Sequence, residues 1–440
     1  MTLDQLEYTP EFTKYYKMMN DCNDSMFITG KAGTGKSTLL SYFCQNTKKN
    51  YVILAPTGIA ALNVHGQTIH RFFNFKTDIT PEKIKAGNIK QKNNPLYKNI
   101  DVILIDEISM VRADLLDCIN LFLIKHGPNK NKNFGGIQMI FLGDLYQLPP
   151  VIQKEELERF KSLYQSPYFF SSSSYLTTSI KIVELRTIYR QKDNEFINLL
   201  NKIRVNSVNH NDIITLNKRC SKDSKQEKNQ FCINLTTTNN KANDINHKYL
   251  STLEGDLYES NATINGTVGK EYYPTLQVLK YKMNSQIMML KNDHKGRWVN
   301  GSLGVIKGHS KANDGSNALS IWFPDKKKIY NISRYEWKIY QYVYNGEKVT
   351  SQLVGTFTQL PFTLSWATTI HKSQGKTFDN VTIDFGNKVF STGHVYVALS
   401  RCTSLQGITL EAPIKRHFIS VDHRITKFFN SQNHNINYND

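Results

Sequence analysis

The sequence predicts an α/β protein of two lobes, with a small basic insertion in the first and a β-rich insertion in the second. Three observations predict it. Short apolar runs of strand length alternate with helical patterns through residues 25–147. The stretch Gly30-Lys31-Ala32-Gly33-Thr34-Gly35-Lys36-Ser37 fits Gly, four residues, then Gly-Lys-Ser, between a strand and a helix. At 440 residues the chain exceeds what one core usually organises.

Bulk composition narrows the partners. Lys and Arg number 55 against 37 acids, a formal charge of +18, which favours a polyanion. The six cysteines are scattered and form no CxxC pair, so reduced thiols and no zinc site are expected. The segment Met1-Thr2-Leu3-Asp4-Gln5-Leu6-Glu7 lacks the apolar core of a leader. No apolar run approaches the roughly twenty residues of a membrane span. The expected location is cytoplasmic, of nucleoid type, with no membrane partner.

Residues 1–24 read as a helical lead-in, with Phe12, Tyr15, Tyr16 and Met19 on one face. Ser25–Thr29 reads as a buried strand, and Thr38–Phe43 opens a helix. Glycines between them let consecutive N–H groups converge on phosphate oxygens, and the helix N-terminus adds partial positive charge. Gly30 to Thr38 is therefore the candidate nucleotide-binding segment. Lys36 would reach the terminal phosphates and Ser37 would offer a hydroxyl to Mg2+. The bland alternative is an ordinary Gly-rich turn.

Tyr51–Ala55 reads as a second strand, ending in Pro56-Thr57-Gly58 before an Ala-rich helix. Ligands sit at such carboxyl edges of open α/β sheets. Thr68, His70 and Phe72 follow, a mixture suited to backbone gripping and base stacking, although taken alone core packing is the better account of Phe72 and Phe73. Residues 73–99 are Lys-rich and read as the surface insertion, either a basic finger or a solvated loop.

Asp101–Glu107 reads as an apolar strand ending in an acid pair, the Walker B pattern. Asp106 can hold the magnesium shell and Glu107 can take a proton from attacking water. A core-facing helix is expected from Arg112 to about Lys125. Phe134–Leu142 is the next strand, ending in Gly143-Asp144-Leu145-Tyr146-Gln147-Leu148-Pro149-Pro150. Gln147 at that strand edge is placed to sense a terminal phosphate.

Together the phosphate loop, Ala-Pro-Thr-Gly, Asp-Glu and Gly-Asp-x-x-Gln-Leu-Pro-Pro, in that order, resemble superfamily-one helicases. Phe134-Gly135-Gly136-Ile137-Gln138 is similar to the PIF (petite integration frequency) group of DNA helicases, with RecD-like helicases as near relatives. Beyond a Ser/Tyr-rich bridge, Lys181–Gln191 is expected to open a second sheet, and Arg190 matches the family's first arginine finger. Thr237 and Asn239 lie at a further strand edge, where they can hold phosphodiesters. Residues 276–360 read as β-rich with dense aromatics (Trp337, Tyr340, Tyr342, Tyr344), matching an SH3-like β-barrel insertion in the family. Leu364–Thr377, with His371, Lys372, Ser373 and Gly375, resembles the fifth motif. Gly393–Arg401 resembles the sixth, which makes Arg401 the second arginine finger. Residues 413–440 are expected to fray.

The resemblance covers roughly residues 25–411. It implies RecA-like domains at 1–175 and at 176–275 plus 361–412, with ATP and Mg2+ between them. Gly375 joins the nucleotide-binding set. It also implies 5′→3′ travel on single-stranded DNA, unwinding of forks and duplex, and action on G-quadruplexes and RNA–DNA hybrids. Replication, repair, recombination or telomere maintenance would be the setting, and the protein would act as a monomer or as a dimer on DNA. Two positions depart from the family. Phe12 stands where an adenine-side glutamine is usual, with Gln5 further upstream, and His394 stands where another glutamine is usual. Two rival readings are a P-loop ATPase remodelling protein or RNA, and a DNA-binding module with a dead nucleotide site.

Overall fold

The computed structural model describes residues 9–87, 94–191, 193–220, 231–312, 314–386, 389 and 391–433. Gln5 and part of the Lys-rich stretch at 73–99 lie outside them. The chain forms two compact units. The first comprises the chain up to Tyr189, Ile339–Val354 and the segment from Asp422; the second comprises Arg190–Lys338 and Gly355–Val421.

In the first unit, α1 (Pro10–Asp21) precedes β1 (Ser25–Gly30), α2 (Lys36–Asn46) and β2 (Tyr51–Ala55). Then come α3 (Gly58–Asn63), β3 (Gln67–Thr68), α4 (Ile69–Phe72), α5 (Pro81–Lys85) and β4 (Val102–Ile105). They are followed by α6 (Ala113–His126), β5 (Gln138–Gly143), α7 (Leu157–Leu163), α8 (Ser173–Leu176) and β6 (Ile180–Leu185). The six strands form one sheet in the order β3-β2-β4-β5-β1-β6, with every pair parallel. A parallel sheet needs helices on both faces, so its central strands read as unbroken apolar runs. Period-two alternation sends Phe27, Ile103, Ile105, Met139 and Phe141 into one core and Met26, Ile28, Val102, Leu104, Ile140 and Leu142 into the other.

Three expectations change here. The segment expected to open a second sheet is β6, which pairs with β1 along Ser25–Gly30. The insertion after Phe72 is anchored rather than merely solvated, because Phe73, Phe75, Ile84, Leu96 and Tyr97 are core residues. Residues 423–433, expected to fray, form helix α13 (His423–Asn433), whose Ile425 and Phe428 enter the same core.

In the second unit, α9 (Asn194–Arg204), α10 (His210–Asn217), β7 (Ile233–Thr236) and α11 (Asn239–Thr252) lead into antiparallel strands. These are β8 (Tyr258–Asn261), β9 (Thr263–Gly266), β10 (Val278–Tyr281), β11 (Gln286–Met289), β12 (Leu303–Lys311), β13 (Asn317–Phe323) and β14 (Lys328–Ser333). The hairpin strands β15 (Tyr335–Tyr344) and β16 (Val349–Gln359) follow, then β17 (Phe362–Leu364). The chain closes this unit with β18 (Ala367–Thr369), β19 (Val381–Asp384), α12 (His394–Leu399) and β20 (Ile408–Leu410). A parallel sheet runs β18-β7-β19-β20, and an antiparallel sheet runs β14-β13-β12-β11-β17. The antiparallel insert has its own core, in which Trp298 stacks on Phe323 at 5.5 Å.

The tip of the β15–β16 hairpin belongs to the first unit. β3 pairs with β2 only at Leu54 and Ala55, which leaves the Ile53 amide facing outward. Tyr342 closes that gap, its hydroxyl accepting from the Ile53 N–H at 3.0 Å. Its ring packs edge-on to Phe72, so Tyr342 is a first-unit core residue and lies outside the core of the antiparallel insert. The Gln67 side-chain amide donates to the Tyr340 carbonyl, and the Val349 N–H donates to Asn50 Oδ1. Among the described residues no helix is long and apolar enough to cross a membrane.

Candidate active site

The phosphate loop lies between β1 and α2, as its spacing predicts. Gly35 caps α2 in the left-handed conformation at φ 85°, which a side chain would strain. A Cβ on Gly30 would fall 2.6 Å from Thr34 Oγ1 and 2.7 Å from the Leu185 carbonyl, so the loop can close only over glycine. Lys36 Nζ donates to the carbonyls of Gly30 at 2.7 Å and Lys31 at 3.0 Å. The ammonium is thus held inside the loop. Ser37 is exposed in the first turn of α2.

Because the strands are all parallel, β1, β4 and β5 end on the same edge of the sheet. That edge presents the phosphate loop, Asp106-Glu107 and Asp144–Gln147 side by side. Asp106 is buried; burial pushes its carboxyl up, while the Glu107 N–H and the Lys36 charge pull it down. The Glu107 N–H donates to Asp106 Oδ1 at 3.0 Å. Glu107 itself takes a left-handed backbone at φ 52°, a conformation that costs energy for a residue with a side chain and re-aims the chain at the strand end. Gln147 is buried, with its Nε2 at 3.5 Å from Asp144 Oδ2. An exposed hydroxyl and a buried carboxylate are hard oxygen donors of the kind magnesium takes. Ser37 and Asp106 therefore fit a magnesium ion bound with a nucleotide.

In the second unit the two arginines meet at one residue. Arg190 Nη1 donates to the Ser400 carbonyl at 3.4 Å, and Arg401 Nη2 donates to Ser400 Oγ at 2.8 Å. Gln191 Nε2 holds the same carbonyl at 3.2 Å and that of Cys402 at 3.3 Å. Arg401 is 1% exposed and also donates to the carbonyls of Val397 and Lys376. Gly375 forms a turn at φ 80°. His394, at the start of α12, is buried, with no hydrogen-bond partner among the described residues on either ring nitrogen. Its ring meets His371 edge-on at 5.0 Å. Burial, reinforced by His371, holds the His394 imidazole down to about 4.

The candidate DNA contacts divide. Thr57 is exposed, with its hydroxyl capping α3 through the Ala60 N–H. Pro56 and His70 are half-buried, Gly58 is buried, and Thr68 is buried as the cap of α4. Phe72 is corrected: it is 5% exposed in the core among Phe73, Tyr97 and Tyr342, so it offers no ring face to a base. Two neighbouring apolar rings in a helical turn pack inward for the usual hydrophobic reason. Asn239 is exposed and Thr237 half-buried at the β7 edge. His371 and Lys372 are exposed, whereas Ser373 is buried and its hydroxyl donates to the Ile370 carbonyl. Phe12, expected from the resemblance on the adenine side, is a core residue packed edge-on to Tyr42.

Sequence reasoning missed Tyr189. Its N–H donates to the Gly33 carbonyl at 2.9 Å, and its ring lies beside Gly35 while 48% exposed. The signal available was an aromatic next to Arg190, but only the pairing of β6 with β1 brings it to the loop.

The PIF1-like helicase family matches residues 12–213, and a family described as helicase matches residues 348–435. The mouse (Mus musculus) protein named ATP-dependent DNA helicase PIF1 is 33% identical over 400 residues, 87% of this chain. The chain spans 57% of that relative's length. The crystal structure of Bacteroides sp. Pif1 in complex with ADP-AlF4 is 32% identical, with a TM-score of 0.88 over 98% of both chains. Bacteroides Pif1 bound to ssDNA is 33% identical, with a TM-score of 0.69 over 98% of both chains. With the loop, the acid pair and the glutamine on one sheet edge and this likeness along nearly the whole chain, the protein belongs to the PIF1-like helicase family.

Proposed function

We propose that this chain is an ATP-hydrolysing DNA helicase that moves 5′→3′ along single strands and opens duplex ahead of it. The observation that carries the reading is the shared sheet edge: the loop with Lys36, the pair Asp106-Glu107 and the turn with Gln147 follow the carboxyl ends of adjacent parallel strands. Lys36 neutralises the terminal phosphates, Glu107 takes the proton of the attacking water, and Gln147 orients that water. Magnesium, when bound, spreads phosphate charge, and Ser37 and Asp106 are the residues that would hold it. Arg190 and Arg401 are the cations assigned to the charge that develops on the transferred phosphoryl group.

The exposed Thr57, Asn239, His371 and Lys372 are the side chains best placed to grip a phosphodiester backbone. The formal charge of +18 supports a polyanionic track, as does the relative whose structure holds ssDNA. Polarity, the SH3-like reading of the antiparallel insert, and action on forks, quadruplexes and RNA–DNA hybrids follow from the family resemblance. The test is ATP turnover with and without single-stranded DNA. Strong stimulation supports the reading; turnover indifferent to DNA but stimulated by a protein or RNA would favour a remodelling ATPase instead.

A further inference from the structure

Helix α13 is fixed to the first unit by several contacts. Phe428 stacks on Phe170 at 4.4 Å and 12°, and Ile425 is buried in the same core. Arg424 lies over the Tyr168 ring at 6.0 Å and donates to the Gln165 carbonyl at 3.3 Å. The next ring along the helix, Phe429, is only half-buried. It lies parallel to Tyr146, with centroids 5.7 Å apart and planes 6° apart.

Tyr146 belongs to the loop that carries Gln147. The carboxylate of Asp144, 1% exposed, holds both residues: Oδ1 accepts the Tyr146 N–H at 3.2 Å, and Oδ2 faces Gln147 Nε2 at 3.5 Å. The Gln147 N–H also donates to the Asp144 carbonyl at 2.9 Å. Tyr146 and Gln147 are consecutive residues of one turn closed on Asp144, so support of the Tyr146 ring steadies the backbone that carries Gln147. A side chain that orients a reacting water tolerates little displacement.

We propose that Phe429 is a positioning residue for ATP hydrolysis, acting through the Tyr146 ring to hold Gln147. The inference rests on the proposed function, in which Gln147 faces the terminal phosphate. A ring 282 positions downstream of the glutamine would thereby complete its loop. If Phe429 merely covered the core, its loss would lower stability without a selective effect on turnover.

The experiment measures kcat and KM for ATP, with and without saturating single-stranded DNA, in the full chain, in Phe429→Leu, Phe429→Tyr and Gln147→Ala, and in the double variant of Phe429→Leu with Gln147→Ala. Phe429→Leu keeps apolar volume but loses the ring. Its kcat should fall about three- to tenfold, the range a ring stack allows, with KM within about twofold. Phe429→Tyr keeps the ring and should turn over like the parent. Adding Phe429→Leu to Gln147→Ala should cost little more, because both act on one group. A Phe429→Leu variant with parental kcat, or a full further loss in the double variant, overturns the proposal. Parental turnover that DNA does not stimulate overturns the proposed function itself, and this inference with it.

Discussion

The Ile53 amide donates to the Tyr342 hydroxyl at 3.0 Å across 289 positions of sequence. The bond supplies the acceptor that β3, too short to extend past Leu54, does not. Tyr342→Phe keeps the ring against Phe72 but leaves a buried donor without its acceptor. It should cost about 1–3 kcal/mol in urea unfolding of the full chain. A change below about 0.5 kcal/mol, within the ordinary scatter for neutral substitutions, would show that the strand edge does not depend on this hydroxyl.

Much of the site was legible because its parts are local. The phosphate loop, the Asp106-Glu107 exit and the Gln147 turn each occupy a few consecutive residues, and strand context follows from the apolar runs around them. What escaped depends on pairing between distant segments. Ile180–Leu185 alternates as a strand in either sheet, and nothing in its residues names β1 as the partner. Tyr342 looks like one more aromatic of a β-rich insertion until Ile53 is placed beside it. Phe428 and Phe429 stand shortly before an Asn-rich terminus whose composition argues for fraying, yet two adjacent rings on a helix carried the opposite signal. Phe72 was misplaced because a ring beside His70 and Arg71 suits base stacking as well as core packing, and burial alone decides between them.

Lys36→Ala should abolish ATP hydrolysis while single-stranded DNA binding survives. The ammonium is held by the Gly30 and Lys31 carbonyls, so its removal leaves the loop backbone in place but without a charge for the phosphates. Turnover and fluorescence anisotropy of labelled DNA check this together. Retained hydrolysis would contradict the assignment of the site.

Arg401→Ala should lose turnover while nucleotide binding is largely kept. It should also destabilise the second unit by about 1–3 kcal/mol, because buried acceptors at Val397 and Ser400 lose their donor. Fluorescent-nucleotide titration beside thermal melting separates the two effects. Unchanged turnover would remove Arg401 from the chemistry and leave it a purely structural role.

His394 gives stability a pH dependence of known sign. Its folded imidazole is held down to about 4 from an ordinary 6.5, so the unfolded chain binds a proton that the folded chain refuses. The contribution is full above pH 6.5 and is lost as pH falls toward 4. The difference is of order 3 kcal/mol, since each unit corresponds to about 1.4 kcal/mol. Urea unfolding of the parent and His394→Gln across pH 4 to 7 isolates this group. The parent should weaken more steeply on acidification than the variant, and parallel curves would contradict the prediction.

The central claim is that phosphate chemistry on one sheet edge drives travel along DNA. Strand displacement on duplexes bearing either a 5′ or a 3′ single-stranded tail tests it most directly. With ATP and magnesium, the 5′-tailed duplex should be separated and the 3′-tailed one left intact. Hydrolysis of ATP with neither duplex opened would contradict the account.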